Sequence, residues 1–323
     1  MMGGTNNNLE EILKTNPRNV AGLKLFLGSS TGDMLVNSEE SLEKIFSSTK
    51  LLIAVHSEDE TTVKANLEKF KSEYGDDIPV QCHPLIRSEE ACYKSTVKII
   101  ALAKKTGARL HVFHLSTAKE MDLFTNKILL EEKQITAEVC IHHLWFSDKD
   151  YDTKGNLIKW NPAVKTENDR KVLWEALLDD RIDVIATDHA PHTLEEKNQI
   201  YTKAPSGGPL VQHAVVAMFE AHHEGKISIE KIVEKMAHNP AKIFKIEKRG
   251  FIKVGYYADL AIVNPNKKWT VSKENILAKC GWSPFEGFTF NSTISHTFVN
   301  GKLVYNNFVV SENLAGERLL FER

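Results

Sequence analysis

The sequence predicts an α/β fold built on a parallel sheet, and three observations predict it. Five short runs rich in Val, Ile and Leu alternate with stretches of helical periodicity. Polar residues of one chemical kind, His and Asp, stand at the ends of those runs. After Gly250 the rhythm changes to a β-rich alternation. With 323 residues, 42% of them apolar, the chain can bury one large core and carry a small appended unit.

The elements follow in order. Residues 20–27 read as a buried strand closing at Gly28, with residues 28–32 a small-residue loop. A short helix is expected over 38–48 and a second strand over 51–55, followed at once by His56-Ser57-Glu58-Asp59. Helices are expected over 60–74 and 88–105, the latter ended by Gly107. The third strand is 110–115. Thr117, with Glu120 three positions on, predicts a capped helix running toward Leu130. The fourth strand, 135–141, leads into His142-His143, and 145–165 reads as a long polar loop. A helix over 168–178 precedes the fifth strand, 182–187, which ends at Asp188-His189. Residues 190–209 are rich in Pro, Gly and Ser and read as irregular; helices are expected over 210–223 and 229–236, and a new one from Pro240. The tail predicts two hairpins, one over 251–263 and one from 292–299 to 302–305 through Asn300-Gly301, a type I′ pair.

Composition narrows the function classes. Basic and acidic residues nearly balance, 41 against 43, which argues against a nucleic-acid backbone or an acidic membrane as partner and for a small polar molecule. The four cysteines form no Cys-x-x-Cys pair, which fits reduced thiols in a cytoplasmic setting. No run reaches membrane-spanning length.

In a parallel sheet the strand ends converge. That brings Lys24, inside the first strand, toward His56, His111, His114 and Asp188. Imidazole and carboxylate are zinc ligands, and two hydrolytic metal ions need several of them. A lysine in an apolar strand is costly unless paired or modified; its carbon dioxide adduct, a carbamate, offers two oxygens to metal ions. A salt bridge would equally explain Lys24, and strand capping would equally explain His56 or His114 alone. His111, three residues before His114, points to the opposite face if both stay in strand geometry. Five strands also suit a doubly wound sheet.

At these residues the sequence resembles the cyclic amidohydrolase family, nearest its dihydroorotase branch. Gly22-Leu23-Lys24-Leu25-Phe26 resembles the carbamylated-lysine strand. Val55-His56-Ser57-Glu58-Asp59 and His111-Val112-Phe113-His114-Leu115-Ser116-Thr117 resemble the two histidine strands, and Thr187-Asp188-His189-Ala190-Pro191-His192 the closing aspartate motif. Asn239-Pro240-Ala241 and residues 250–265 resemble the family's tail. The resemblance implies an incomplete TIM-type (β/α)8 barrel over 1–249 and a tail over 250–323 contributing to a small β-sandwich. It implies zinc, one or two ions per complete site. Lys24 would be the bridging carbamate, with His56 and His114 as ligands of one metal. Asp188 would be ligand of the other and general base and acid. Asn161, His192 and the segment Ala204, Gly207, Gly208 would contact substrate, with His111 and His189 behind the ligands. Family members form homo-oligomers.

The implied reaction interconverts N-carbamoyl-L-aspartate and L-dihydroorotate, a step of pyrimidine synthesis; dihydropyrimidinase (hydantoinase) and allantoinase chemistry, or a non-catalytic paralogue with an assembly role, are the alternatives. Two features depart from the family. Ala163-Val164-Lys165 stands where dihydroorotases read Pro-Leu-Arg, and no His-x-His pair precedes Lys24. The five strands would then be the fourth to eighth of the barrel, and the chain by itself is expected to be nearly inactive.

Overall fold

A computed structural model describes residues 1–28, 35–36, 38–312 and 316–323. Most of the small-residue loop expected at 28–32 lies outside the described residues.

The main sheet has six parallel strands in sequence order: β1 (Met2–Gly3), β2 (Leu23–Phe26), β3 (Ile53–His56), β4 (Leu110–Val112), β5 (Ile135–Cys140) and β6 (Val184–Ala186). The five expected strands are there, and β1 adds a sixth: its two residues pair with Leu23 and Lys24. So short a segment carries no periodicity from which to read a strand.

Register divides the sheet into two chemically different faces. Leu23, Leu25, Ile53, Val55, Leu110, Val112, Ala137, Val139 and Ile185 alternate onto one face and join the main apolar core. Helices Glu39–Ser48, Glu89–Thr106 and Glu167–Leu178 supply Ile45, Phe46, Ile99, Ala103, Leu173 and Leu177 to the same core. Their starts follow from capping: the Ser38, Ser88 and Thr166 side chains accept from backbone amides three residues on. The other face collects the polar set. Lys24 pairs with Ala54, Phe26 with His56, Ala54 with His111 and His111 with Thr136, so all share one side with Glu138 and Cys140.

Three expectations are corrected. The helix from Thr117 is a 3-10 turn, Lys119–Leu123; Glu120 does reach Thr117, but it is buried and also holds Thr96 at 2.7 Å, and beyond it Ile128 and Leu129 are exposed, so no apolar helix face exists. Residues 145–165 are a set of short turns anchored by the buried Tyr151, Ile158, Trp160 and Val164 rather than a polar loop. The hairpin over 251–263 does not form: Ile252 and Val254 are almost wholly exposed, and only Leu260–Asn264 is extended, pairing with the distant Thr293–Val299. The second hairpin does form, with Asn300 and Gly301 at φ 52° and 76°, as a type I′ turn requires. Together with Val309–Val310, these strands make a four-stranded antiparallel sheet.

Candidate functional site

The chain does two unusual things where β4 and β6 end. His114 and Asp188 both adopt left-handed backbone, φ 39° and 45°, a conformation that is costly for residues with a Cβ and that gathers at functional positions. At His114 this breaks the alternation after Val112. The expectation that His111 and His114 diverge therefore fails: His114 swings to the polar face, and its Nε2 stands 3.2 Å from Nδ1 of His56.

Both imidazoles are buried, and burial pushes both pKa values down, that of His114 well below its ordinary value. Neutral rings are the form that ligates metals. Two nitrogens sharing one tetrahedral zinc stand roughly 3.3 Å apart, so the pair fits that task. Nδ1 of His114 is buried without a hydrogen-bond partner. His56 turns its Nε2 to Glu58 at 2.8 Å, and Glu58 is in turn paired with Arg87. Arg87 and His56 overcome the burial of the Glu58 carboxyl and bring it to about 2.

Lys24 lies on the same face, its Nζ 4.1 Å from the Phe113 ring centre and 4.5 Å from that of Phe26. Burial brings its pKa down to about 8 against the opposing charges of Glu138 and Asp188, so free amine, the form that reacts with carbon dioxide, is accessible near neutral pH. Its charge reaches both histidines. Burial, with Glu138 adding to it, raises the Asp188 carboxyl to about 6. Among the described residues no three His, Cys, Asp or Glu side chains stand close enough to hold a metal ion by themselves. Lys24 is the group whose charge acts on the histidine pair and on Asp188 alike.

The remaining site residues are placed as follows. His111 bonds Thr136 at 2.8 Å and Glu138 at 3.2 Å, level with Lys24 and two strands along the sheet. His189 accepts from the amides of Leu210 and Val211 through Nδ1. His192 is partly exposed, 3.7 Å from Glu196. Asn161 has a buried Oδ1 without a partner. Ala204, Gly207 and Gly208 lie on a buried segment that runs back along the aspartate motif, Gly208 bridging to His189. Gly207 sits at φ 125°, and a Cβ there would meet the Ala190 carbonyl oxygen at 2.4 Å. Gly207→Ala is therefore expected to cost about 1–3 kcal/mol, read as faster amide hydrogen exchange across 201–209; unchanged exchange would show that the segment is not held by this contact.

Sequence reasoning missed Glu58, Arg87 and Glu138 as site residues. Glu58 alone had a signal, since it follows His56 at a strand end. It left His142-His143 open, and both are buried: His142 stacks on Trp160 at 4.3 Å and His143 bonds the Pro162 carbonyl. All four cysteines are free thiols, and no helix among the described residues is long and apolar enough to cross a membrane.

Comparison with known proteins agrees with this geometry. Residues 34–304 match the model of the amidohydrolase family. The chain is 32% identical over 297 residues to a dihydroorotase of Pyrococcus furiosus, covering 92% of this chain and 64% of that protein. It is 33% identical over 302 residues to a dihydroorotase of Pyrococcus abyssi, covering 93% and 66%. The chain thus spans just under two thirds of the length of these relatives. Among solved structures it is similar to the L-hydantoinase (dihydropyrimidinase) of Arthrobacter aurescens, with TM-score 0.88 and 27% identity, over 96% of this chain and 70% of that one.

Proposed function

This chain belongs to the amidohydrolase family, and from that premise we propose that it acts on a cyclic amide as a metal-dependent hydrolase, interconverting L-dihydroorotate and N-carbamoyl-L-aspartate. The observation that carries the reading is the buried pair His56 and His114, drawn together by left-handed backbone at His114, with the charge of Lys24 acting on both and on Asp188. The dihydroorotase likeness of its sequence relatives favours dihydroorotate; the close backbone match to a hydantoinase favours a second reading, hydrolysis of hydantoins or dihydropyrimidines.

Lys24 as a carbamate, His56, His114 and Asp188 would hold zinc. When bound, the metal polarises the amide carbonyl and makes water available as a nucleophile near neutral pH. Glu58, fixed by Arg87, orients the His56 ring through Nε2 and leaves Nδ1 turned toward the site. Asp188 takes the proton of the attacking water and returns it to the leaving nitrogen; a carboxyl at about 6 serves both steps. Asn161 offers its unpartnered Oδ1 to a ring N–H.

The test is zinc content and substrate ranking of the chain purified with zinc and bicarbonate. The expected result is bound zinc, lost in His56→Ala and His114→Ala, and turnover that is low in this chain by itself but ranks L-dihydroorotate ahead of dihydrouracil, hydantoin and allantoin. Preference for hydantoin would replace the first reading by the second. A chain that binds no zinc in any form would sink both.

A further inference from the structure

Of five buried lysines among the described residues two stand apart; Lys165 has no ion pair either, but its charge acts on the carboxyls of Glu58 and Glu120. Lys133 and Lys235 are buried against carboxylates, Asp183 at 2.6 Å and Asp180 at 2.7 Å. Lys159 and Lys197 are buried without one: among the described residues neither forms an ion pair. The charged groups that act on them are cationic, Arg87 on Lys159 and Lys159 on Lys197. Their donors go to backbone carbonyls instead. Lys197 donates to Gly207 at 2.8 Å, Pro205 at 2.9 Å and Lys159 at 3.3 Å; Lys159 donates to Ala204 at 2.5 Å and Tyr201 at 2.7 Å.

Carbonyl dipoles compensate a buried ammonium only in part, and two neighbouring ammonium groups repel. Burial brings Lys159 to about 8 and Lys197 to about 7, so the wall keeps a partial positive charge without a counter-ion. Its location is informative. The five carbonyls belong to residue 159 and the 201–207 segment, and that segment continues into Gly208, which bridges to His189 beside Asp188. Lys159 is two residues before Asn161. The field thus lies along the stretch proposed above to meet substrate, and an anion bound there would supply the missing negative charge.

We infer that Lys159 and Lys197 determine specificity, making this segment select a carboxylate-bearing cyclic amide over a neutral one of the same ring. They touch no ligand themselves and act through the field they leave along the segment. The inference rests on reading the site as one for cyclic amides, and it can fail separately from that reading.

The test is calorimetric binding of L-dihydroorotate and of dihydrouracil, its neutral counterpart without the carboxylate, to the full chain at low and moderate salt. The unchanged chain is expected to bind the anion at least tenfold more tightly, with the preference shrinking as salt rises. Lys197→Met and Lys159→Met, each checked for native circular dichroism, are expected to bring the ratio close to one while leaving dihydrouracil affinity within threefold; Lys159→Arg is expected to keep the preference. A merely structural role would weaken both ligands together, and that result overturns the inference. Equal binding of both ligands by the unchanged chain, or of neither, overturns it without recourse to any variant. Lysine-dependent anion preference without hydrolysis of any cyclic amide would sink the proposed function alone; hydrolysis of both rings without preference would sink this inference alone.

Discussion

Asp188→Asn is expected to lower hydrolysis of L-dihydroorotate by about 10²–10⁴-fold relative to the unchanged chain, the usual contribution of a positioned general acid–base group. Asn keeps the size of the side chain and removes the group that can carry a proton. Asp188 is suited to the role by three properties together. It sits at a strand end in left-handed backbone, its carboxyl is raised to about 6, and the cause is burial assisted by Glu138 and opposed by Lys24. The fall should appear in kcat with little change in KM, since Asn161 and the 204–208 segment are untouched. Zinc held through His56 and His114 should remain. A variant within threefold of the unchanged chain in kcat would remove Asp188 from the proton path and leave the histidine pair as a site of another kind.

The largest expected loss of stability comes from Asp183→Ala. Asp183 and Lys133 are both buried, 2.6 Å apart, at the entry to β6. Asp183 also accepts from the Ala137 amide at 3.0 Å, and Lys133 donates to the Asp180 carbonyl. Burial raises the Asp183 carboxyl in spite of Lys133, so the ion pair contributes little beyond what apolar residues would. Removing one partner is different, because it strands an ammonium away from water: the cost is about 3–5 kcal/mol. Urea unfolding measures it. The double variant Lys133→Met, Asp183→Leu should recover most of the loss, and a double variant as unstable as the single would show that the Ala137 contact, not the stranded charge, carries the effect.

Much of the sheet was readable before any coordinates. The alternation Leu23, Lys24, Leu25, Phe26 already assigns Lys24 to the face opposite the apolar core, and β2 and β3 bear this out. The missed elements failed for stated reasons. β1 is two residues long, and the apparent alternation of 251–259 includes Ile252 and Val254, which are almost wholly exposed. The divergence expected of His111 and His114 assumed strand geometry two residues past the point where it stops.

The five expected strands, the glycine end of the 89–106 helix and the type I′ turn were legible in the sequence alone, because each depends on residues a few positions apart. Which charged side chains would be buried was decided only by the tertiary structure. Arg87 meets Glu58 from 29 residues away, His114 meets His56 from 58, and Lys159 is enclosed by a segment 42 to 45 residues on. A lysine in a polar stretch and a lysine sealed against two or three carbonyls look the same in one dimension; the difference lies in what the rest of the chain folds over them.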